Sequence, residues 1–240
     1  MRVFLSVIVF SLGAVHLAFP VLAETSSGPD PRRTEVAAPA PWQAAVVKLR
    51  VPVSRLVAGR RVHSIEDCTG TVVDTVPRRI LSAWHCFDGY DDLTRAPTFR
   101  VGNRWHTARL LTAGGSMASD WAVLTADQDA IDQLPALSML SRQDAIALPL
   151  GEAITIAGFS GDAGLGADGE VLTFDDSCRI DDQDQHWLYS RCTAYKGSSG
   201  GPVLVNSHEN PKVAGVISGR NEQGLVLFVP IHRANLGTAR

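Results

Sequence analysis

Two successive sets of six short apolar runs, separated by clusters rich in Gly, Pro, Asp and Ser, fill most of the chain beyond Pro41. The first set covers residues 44–51, 70–73, 80–81, 99–101, 108–112 and 121–124. The second covers residues 153–158, 170–174, 187–189, 203–205, 213–218 and 225–230. Runs this short, bounded by turn residues, read as antiparallel strands with tight connections. The polar stretch TADQDAIDQLPAL lies between the sets and reads as a crossing. The pattern predicts an all-β chain folded as two small antiparallel β-barrels of six strands each, about 41–130 and about 140–235, rather than one sandwich. Helix signals are weak apart from a final turn or short helix after His232.

The residues before Trp42 belong to neither set. Arg2 precedes a mostly apolar run over residues 3–19, and Val21-Leu22-Ala23 follows Pro20. A positive start, an apolar core and small residues at the cleavage positions predict a signal peptide over residues 1–23. An uncleaved anchor is the competing reading, since the run is nearly long enough to span a membrane. Pro20 and the V-x-A pattern favour cleavage after Ala23, hence a secreted or periplasmic protein. Residues 24–40, rich in Pro and Ala without periodicity, read as a disordered pro-segment or linker.

Export bears on the four cysteines, because disulfides persist in oxidising compartments. Cys68 and Cys86, and Cys178 and Cys192, make two sequence-local pairs, although four cysteines permit three connectivities. The Cys-x-x-Cys and Cys/His spacings of zinc sites are absent. A net charge of −3 carries no basic footprint for nucleic acid or an anionic membrane. With 45 % apolar and 20 % charged residues, the chain is able to bury a core.

Three strings carry chemistry. Gly197-Ser198-Ser199-Gly200-Gly201-Pro202 places a serine on a glycine-rich turn, as acyl transfer requires of an exposed hydroxyl beside backbone N–H groups. Alone it would be an ordinary Gly/Ser loop. Ser82-Ala83-Trp84-His85-Cys86 puts a histidine just past an apolar stretch and beside a cysteine. Asp120-Trp121-Ala122-Val123-Leu124 puts an acid at the entry to a strand, where a lone Asp is usually a turn residue or cap. Near a histidine, a buried carboxylate instead fixes the tautomer and stabilises the imidazolium.

The order His, Asp, Ser, with Cys86 after the histidine, D-x-A-x-L around Asp120 and G-x-S-G-G-P around Ser199, resembles the chymotrypsin/trypsin-like serine proteases. Pro41-Trp42-Gln43 is similar to the start of that family's first barrel. The resemblance covers about residues 41–231 and implies an active site in the cleft between two barrels. It implies a secreted serine endopeptidase with Ser199 as nucleophile, His85 as base, Asp120 orienting it, and the N–H groups of Gly197 and Ser199 as oxyanion hole. Ser218 would lie near Asp120, and residues 216–219 would pair with the substrate backbone. Thr193, Ser218, Gly219 and Arg220 would border the specificity pocket.

The chain departs from trypsin at two places. Ser198 stands where an Asp would receive the new amino terminus of an activated zymogen, and no I-V-G-G-like segment precedes Trp42. Cleavage at Arg32 or Arg33 could still trim a pro-segment. Thr193 is uncharged, which argues against cleavage after Arg or Lys. The resemblance is therefore closer to bacterial exported, glutamyl-endopeptidase-like members, although Ile217 replaces the His that glutamate-specific members carry. Arg220 either meets an acidic substrate group or points into solvent, the latter being favoured.

The acidic stretch over residues 175–184 lacks the spacing of a calcium loop. Asp88, Asp91 and Asp92 occupy a region that binds calcium in some relatives. No cofactor or metal is expected, the expected partner is a protein or peptide substrate, and the mature chain is expected to be a monomer without stable membrane association. The rival readings are a non-catalytic binding protein on the same fold, and an acyltransferase or esterase.

Overall fold

The computed structural model describes residues 29–34, 40–91 and 95–234. The expected signal peptide and residues 235–240 lie outside them. The first element is a short strand, β1 (Arg33–Thr34). Six strands follow: β2 (Val46–Val57), β3 (Arg60–Val73), β4 (Arg79–Ser82), β5 (Thr98–Val101), β6 (Arg104–Ala113) and β7 (Ala122–Ala126). They close into an antiparallel barrel in the order β2-β3-β4-β7-β6-β5. Leu49, Ile80, Phe99 and Leu124 are fully buried in this half. Each such side chain removed from water stabilises the fold by roughly 1.5–3 kcal/mol.

The β2–β3 hairpin runs well past the apolar runs that predict it. Its far end is exposed or half-exposed at every position and turns at Ala58 and Gly59, both with positive φ (49° and 76°). That pair of dihedrals matches the right-handed twist of the flanking strands, so a two-residue turn extends the ladder without a core beneath it.

The crossing holds α1 (Gln128–Ile131), β8 (Ser138–Met139) and α2 (Arg142–Ile146). Ser141 caps α2 by accepting a bond from the Asp144 N–H. The second half comprises β9 (Ala153–Gly158), β10 (Thr173–Arg179), β11 (Asp182–Gln183), β12 (Leu188–Ser190), β13 (Pro202–Val205), β14 (Lys212–Arg220) and β15 (Val226–Pro230). A 3-10 turn at Ile231–Arg233 ends the described chain, in place of a turn beginning after His232. The architecture is the expected chymotrypsin-like pair of β units.

The second unit is a curled sheet rather than a closed barrel, in the order β1-β10-β9-β13-β14-β15-β12-β11. At one end of it, β12 and β11 are three and two residues long, too short to carry a ladder back to β10. A disulfide between Cys178 and Cys192 and a bond from the Ser190 hydroxyl to the Arg179 carbonyl bridge that gap instead. Cys68 and Cys86 form the other disulfide. Loops of 18 and 14 residues closed in this way stabilise by about 3 kcal/mol each in the chain-entropy view.

The disordered segment expected over residues 24–40 is ordered where it is described before Thr34. Arg33 and Thr34 pair with Phe174 and Thr173 of β10, extending the second sheet. Arg32 is buried between two carboxylates, those of Asp30 and Asp162. Specific charge pairing and a strand edge outweigh a composition that lacks apolar residues.

Candidate active site

Antiparallel pairing of β4 with β7 places Ser82 opposite Ala122. The residues just past β4 therefore face those just before β7. His85 lies in the 3-10 turn Trp84–Phe87 after β4, and Asp120 lies two residues before β7. The His85 backbone N–H donates to Asp120 Oδ1 at 2.8 Å, and His85 Nδ1 meets Oδ2 at 2.7 Å. The Ser218 hydroxyl, arriving from β14, donates to the same Oδ2 at 2.5 Å. Asp120 is completely buried, and three donors converge on it. A buried carboxylate needs such partners, and it can only accept. Nδ1 thus carries the proton, leaving the Nε2 lone pair of the half-buried ring free for a proton from elsewhere.

Ser199 sits on the turn between Tyr195 and β13. The Gly200 N–H donates to the Ile217 carbonyl at 2.8 Å, and the Ile217 N–H to the Gly201 carbonyl at 2.9 Å, so the turn is stitched to β14. The Thr69 N–H donates to the Ser199 carbonyl at 2.9 Å across the two halves. Thr69 adjoins Cys68, whose disulfide partner Cys86 adjoins His85. The serine and the imidazole therefore hang on one short frame of a disulfide and a backbone bond. Gly200 has φ +84°, and a Cβ there would lie 2.2 Å from Ser82 Oγ and 2.3 Å from the Thr69 carbonyl oxygen. Only glycine fits this approach.

Ser198, in the place of the trypsin aspartate, is buried, and its hydroxyl lies 2.7 Å from that of Ser160. The Thr173 hydroxyl continues this neutral chain, bonding to Ser160 Oγ at 3.0 Å. The carbonyl of Lys196 accepts the Gly161 N–H at 2.6 Å. A trans peptide places its N–H opposite its carbonyl, so the Gly197 N–H points away from Gly161. Gly197 has φ +97°, and a Cβ would lie 2.4 Å from the Phe159 carbonyl oxygen.

A cavity of about 290 Å³ opens beside Ser199. Ala194, Tyr195 and Lys196 form one wall, and Ile217, Gly219 and Arg220 the other. Thr193 does not line this cavity, and its N–H donates to Asp175 Oδ2 at 2.8 Å. Ser218 is likewise turned from the cavity toward Asp120. Arg220 is exposed, as the solvent reading expects, while also edging the cavity with its guanidinium carbon 5.7 Å from the Tyr195 ring centroid. Asp175 gathers with Cys178 and Cys192, but those cysteines are joined to each other and offer no thiolate to a metal. Asp91 pairs with Arg61 at 3.1 Å, and Asp92 lies outside the described residues.

The family model of the trypsin-like peptidase domain matches residues 68–216, which contain His85, Asp120 and Ser199. The chain belongs to the trypsin-like peptidase family. It is a serine endopeptidase by that membership, and solved structures of proteases share its fold. The active form of the Rv3671c protease from M. tuberculosis is 19 % identical, with 83 % of each chain covered and a TM-score of 0.60. A Glu endopeptidase is 18 % identical, covering 85 % of this chain and 92 % of that one at TM-score 0.60. The protease Anisep from Arthrobacter nicotinovorans is 15 % identical, covering 83 % and 93 % at TM-score 0.60. At these identities the likeness is one of fold. No curated protein matches the chain.

Several residues around this peptidase's site escape sequence reading: Thr69, Gly161, Asp162 and Arg32. The glycines in Gly158-Phe159-Ser160-Gly161-Asp162 signal a close approach of backbone, but nothing local indicates to what. Arg32 bonds Asp162 from 130 residues away.

Proposed function

We propose that Ser199, His85 and Asp120 are the triad of a secreted serine endopeptidase that works through an acyl-enzyme. Ser199 Oγ attacks the scissile carbonyl while His85 Nε2 takes its proton. The imidazolium then passes that proton to the leaving amine as the C–N bond breaks. Water, deprotonated by the same nitrogen, releases the acyl group and restores the serine. Asp120 holds the tautomer and stabilises the imidazolium without taking the proton. The N–H groups of Gly197 and Ser199 receive the oxyanion. The observation that carries this reading is the two-point grip of Asp120 on His85, beside a serine turn tied to the same disulfide frame.

β14 offers its backbone at Ser218 and Gly219 to an extended substrate, and the adjoining cavity takes the side chain before the scissile bond. Lys196 and Arg220 in its walls oppose a basic side chain there. Export is supported by the pattern of residues 1–23 and by two disulfides. Digestion of a mixed peptide library with the purified protein and with Ser199→Ala tests the reading. Turnover is expected to fall by about 10⁴-fold or more in the variant, with few cuts after Arg or Lys in the parent. Undiminished cleavage by a folded Ser199→Ala protein would overturn the triad, and cleavage mainly after basic residues would overturn the pocket.

A further inference from the structure

We infer that Arg32 is a positioning residue for the oxyanion-binding turn, acting through Asp162 from a segment that precedes the first barrel. The inference rests on the peptidase reading above. Its guanidinium makes a fork to Asp162, Nη1 to Oδ1 at 2.7 Å and Nη2 to Oδ2 at 3.0 Å. Asp30 takes the remaining face, accepting from Nε at 3.0 Å and Nη2 at 2.6 Å. The Arg32 side chain is 2 % exposed and its guanidinium carbon lies 4.3 Å from the centroid of the Tyr195 ring. It therefore touches both the loop after β9 and the start of the nucleophile turn.

Gly161 links that loop to the chemistry. It precedes Asp162 directly, and its N–H holds the Lys196 carbonyl at 2.6 Å. While that bond stands, the Gly197 N–H is turned to the opposite side, where an oxyanion would be received. Rotating the Lys196–Gly197 peptide would present a carbonyl there instead and repel the oxyanion. The loop is tied at its other end to the first barrel, Lys48 Nζ meeting Glu170 at 2.8 Å and Arg100 pairing with the same carboxylate. Arg32 is the tie at the Gly161 end.

In trypsin-type activation a new amino terminus pairs with an Asp beside the nucleophile. Ser198 precludes that pairing in this chain. An internal arginine forks to a carboxylate on the neighbouring loop, and needs no free terminus. Cleavage after Arg32 or Arg33 would then cut the tie from the chain that anchors it, so trimming there should weaken the enzyme.

The test compares Arg32→Ala, Arg32→Lys, Asp162→Asn and the Arg32→Ala/Asp162→Ala double variant in the full chain, with kcat, KM and melting temperature for each. Arg32→Ala is expected to lose about ten- to a hundredfold in kcat, less than the roughly 10²- to 10³-fold cost of removing an oxyanion donor outright, because the donor is loosened rather than lost. KM should change little, since the bond matters when negative charge develops. Lysine keeps the charge but not the fork, so it should recover part of the loss. The double variant should be no slower than Arg32→Ala, as for two groups acting through one contact. If Arg32→Ala fails to fold, the near-isosteric Asp162→Asn carries the same expectation.

A kcat within twofold of the parent, a loss confined to KM, or a loss accounted for by the unfolded fraction would each overturn the proposal. A parent enzyme insensitive to Ser199→Ala would bring down the peptidase reading, and this one with it. A Ser199-dependent parent with unaffected Arg32 variants would bring down the tie alone.

Discussion

The two sides of the catalytic cleft are built by different means. On the first-barrel side, His85 is set mainly by groups of its own barrel: two of the three donors on the buried Asp120 are His85's own, a disulfide holds the next residue, and only Ser218 comes from β14. On the second-unit side, the groups around Ser199 are mostly backbone, and their orientation is set by partners far away in sequence. Thr69 grips the Ser199 carbonyl, Gly161 grips the Lys196 carbonyl, and Arg32 steadies the loop behind Gly161. The base is therefore held largely by its own barrel, with one contact from β14. The oxyanion turn depends on contacts from the first barrel and from the segment before it.

The largest effect that separates the two sides is expected from Asp120→Asn. The amide would keep the shape but favour the wrong imidazole tautomer, costing about 10⁴-fold in kcat with little change in substrate binding. Steady-state kinetics on the folded variant check this, and a loss below about tenfold would mean that His85 is set by something else. Arg32→Ala, on the other side, should cost far less and be partly rescued by lysine.

A subtler contrast lies in acid. The hydrogen bond from Arg32 holds the Asp162 carboxyl down at about 2, below its ordinary 3.8, against the opposing effect of burial. A carboxyl with a depressed folded value contributes stability that is complete above about pH 4 and is lost as pH falls toward 2. The melting-temperature advantage of the parent over Asp162→Asn should thus be flat from pH 5 to 8 and shrink between about pH 4 and 2. An advantage that instead changed across neutral pH would assign the difference to another group.

The same division explains what could be read from the sequence. Every apolar run but one is found largely as a strand, because a strand's core face writes itself into a short stretch; the run over residues 170–174 is a strand only from Thr173, where the mostly polar β10 begins. His85, Asp120 and Ser199 stand out because each sits in a local string with its own turn or strand. The end of the β2–β3 hairpin was not legible, since residues 54–66 bury almost nothing and are ordered by strand pairing and surface ion pairs such as Arg55–Glu66. The gap in the second sheet was not legible either, being a matter of how far β11 and β12 reach. Arg32 lies in a stretch whose composition argues for disorder, and nothing in the string around Asp162 points to a partner. Ion pairs across 130 residues leave no periodic trace.

The claim most open to direct contradiction is that Ser199, and not its neighbour, is the nucleophile. Both lie in the same turn, but the Ser198 hydroxyl is buried against Ser160, whereas Ser199 lines the open cavity. Reaction of the folded protein with a fluorophosphonate, followed by peptide mapping in a mass spectrometer, distinguishes them. The account predicts a single adduct on Ser199, abolished in Ser199→Ala and strongly slowed in His85→Ala. An adduct on Ser198 or elsewhere, or labelling at full rate without His85, would contradict it.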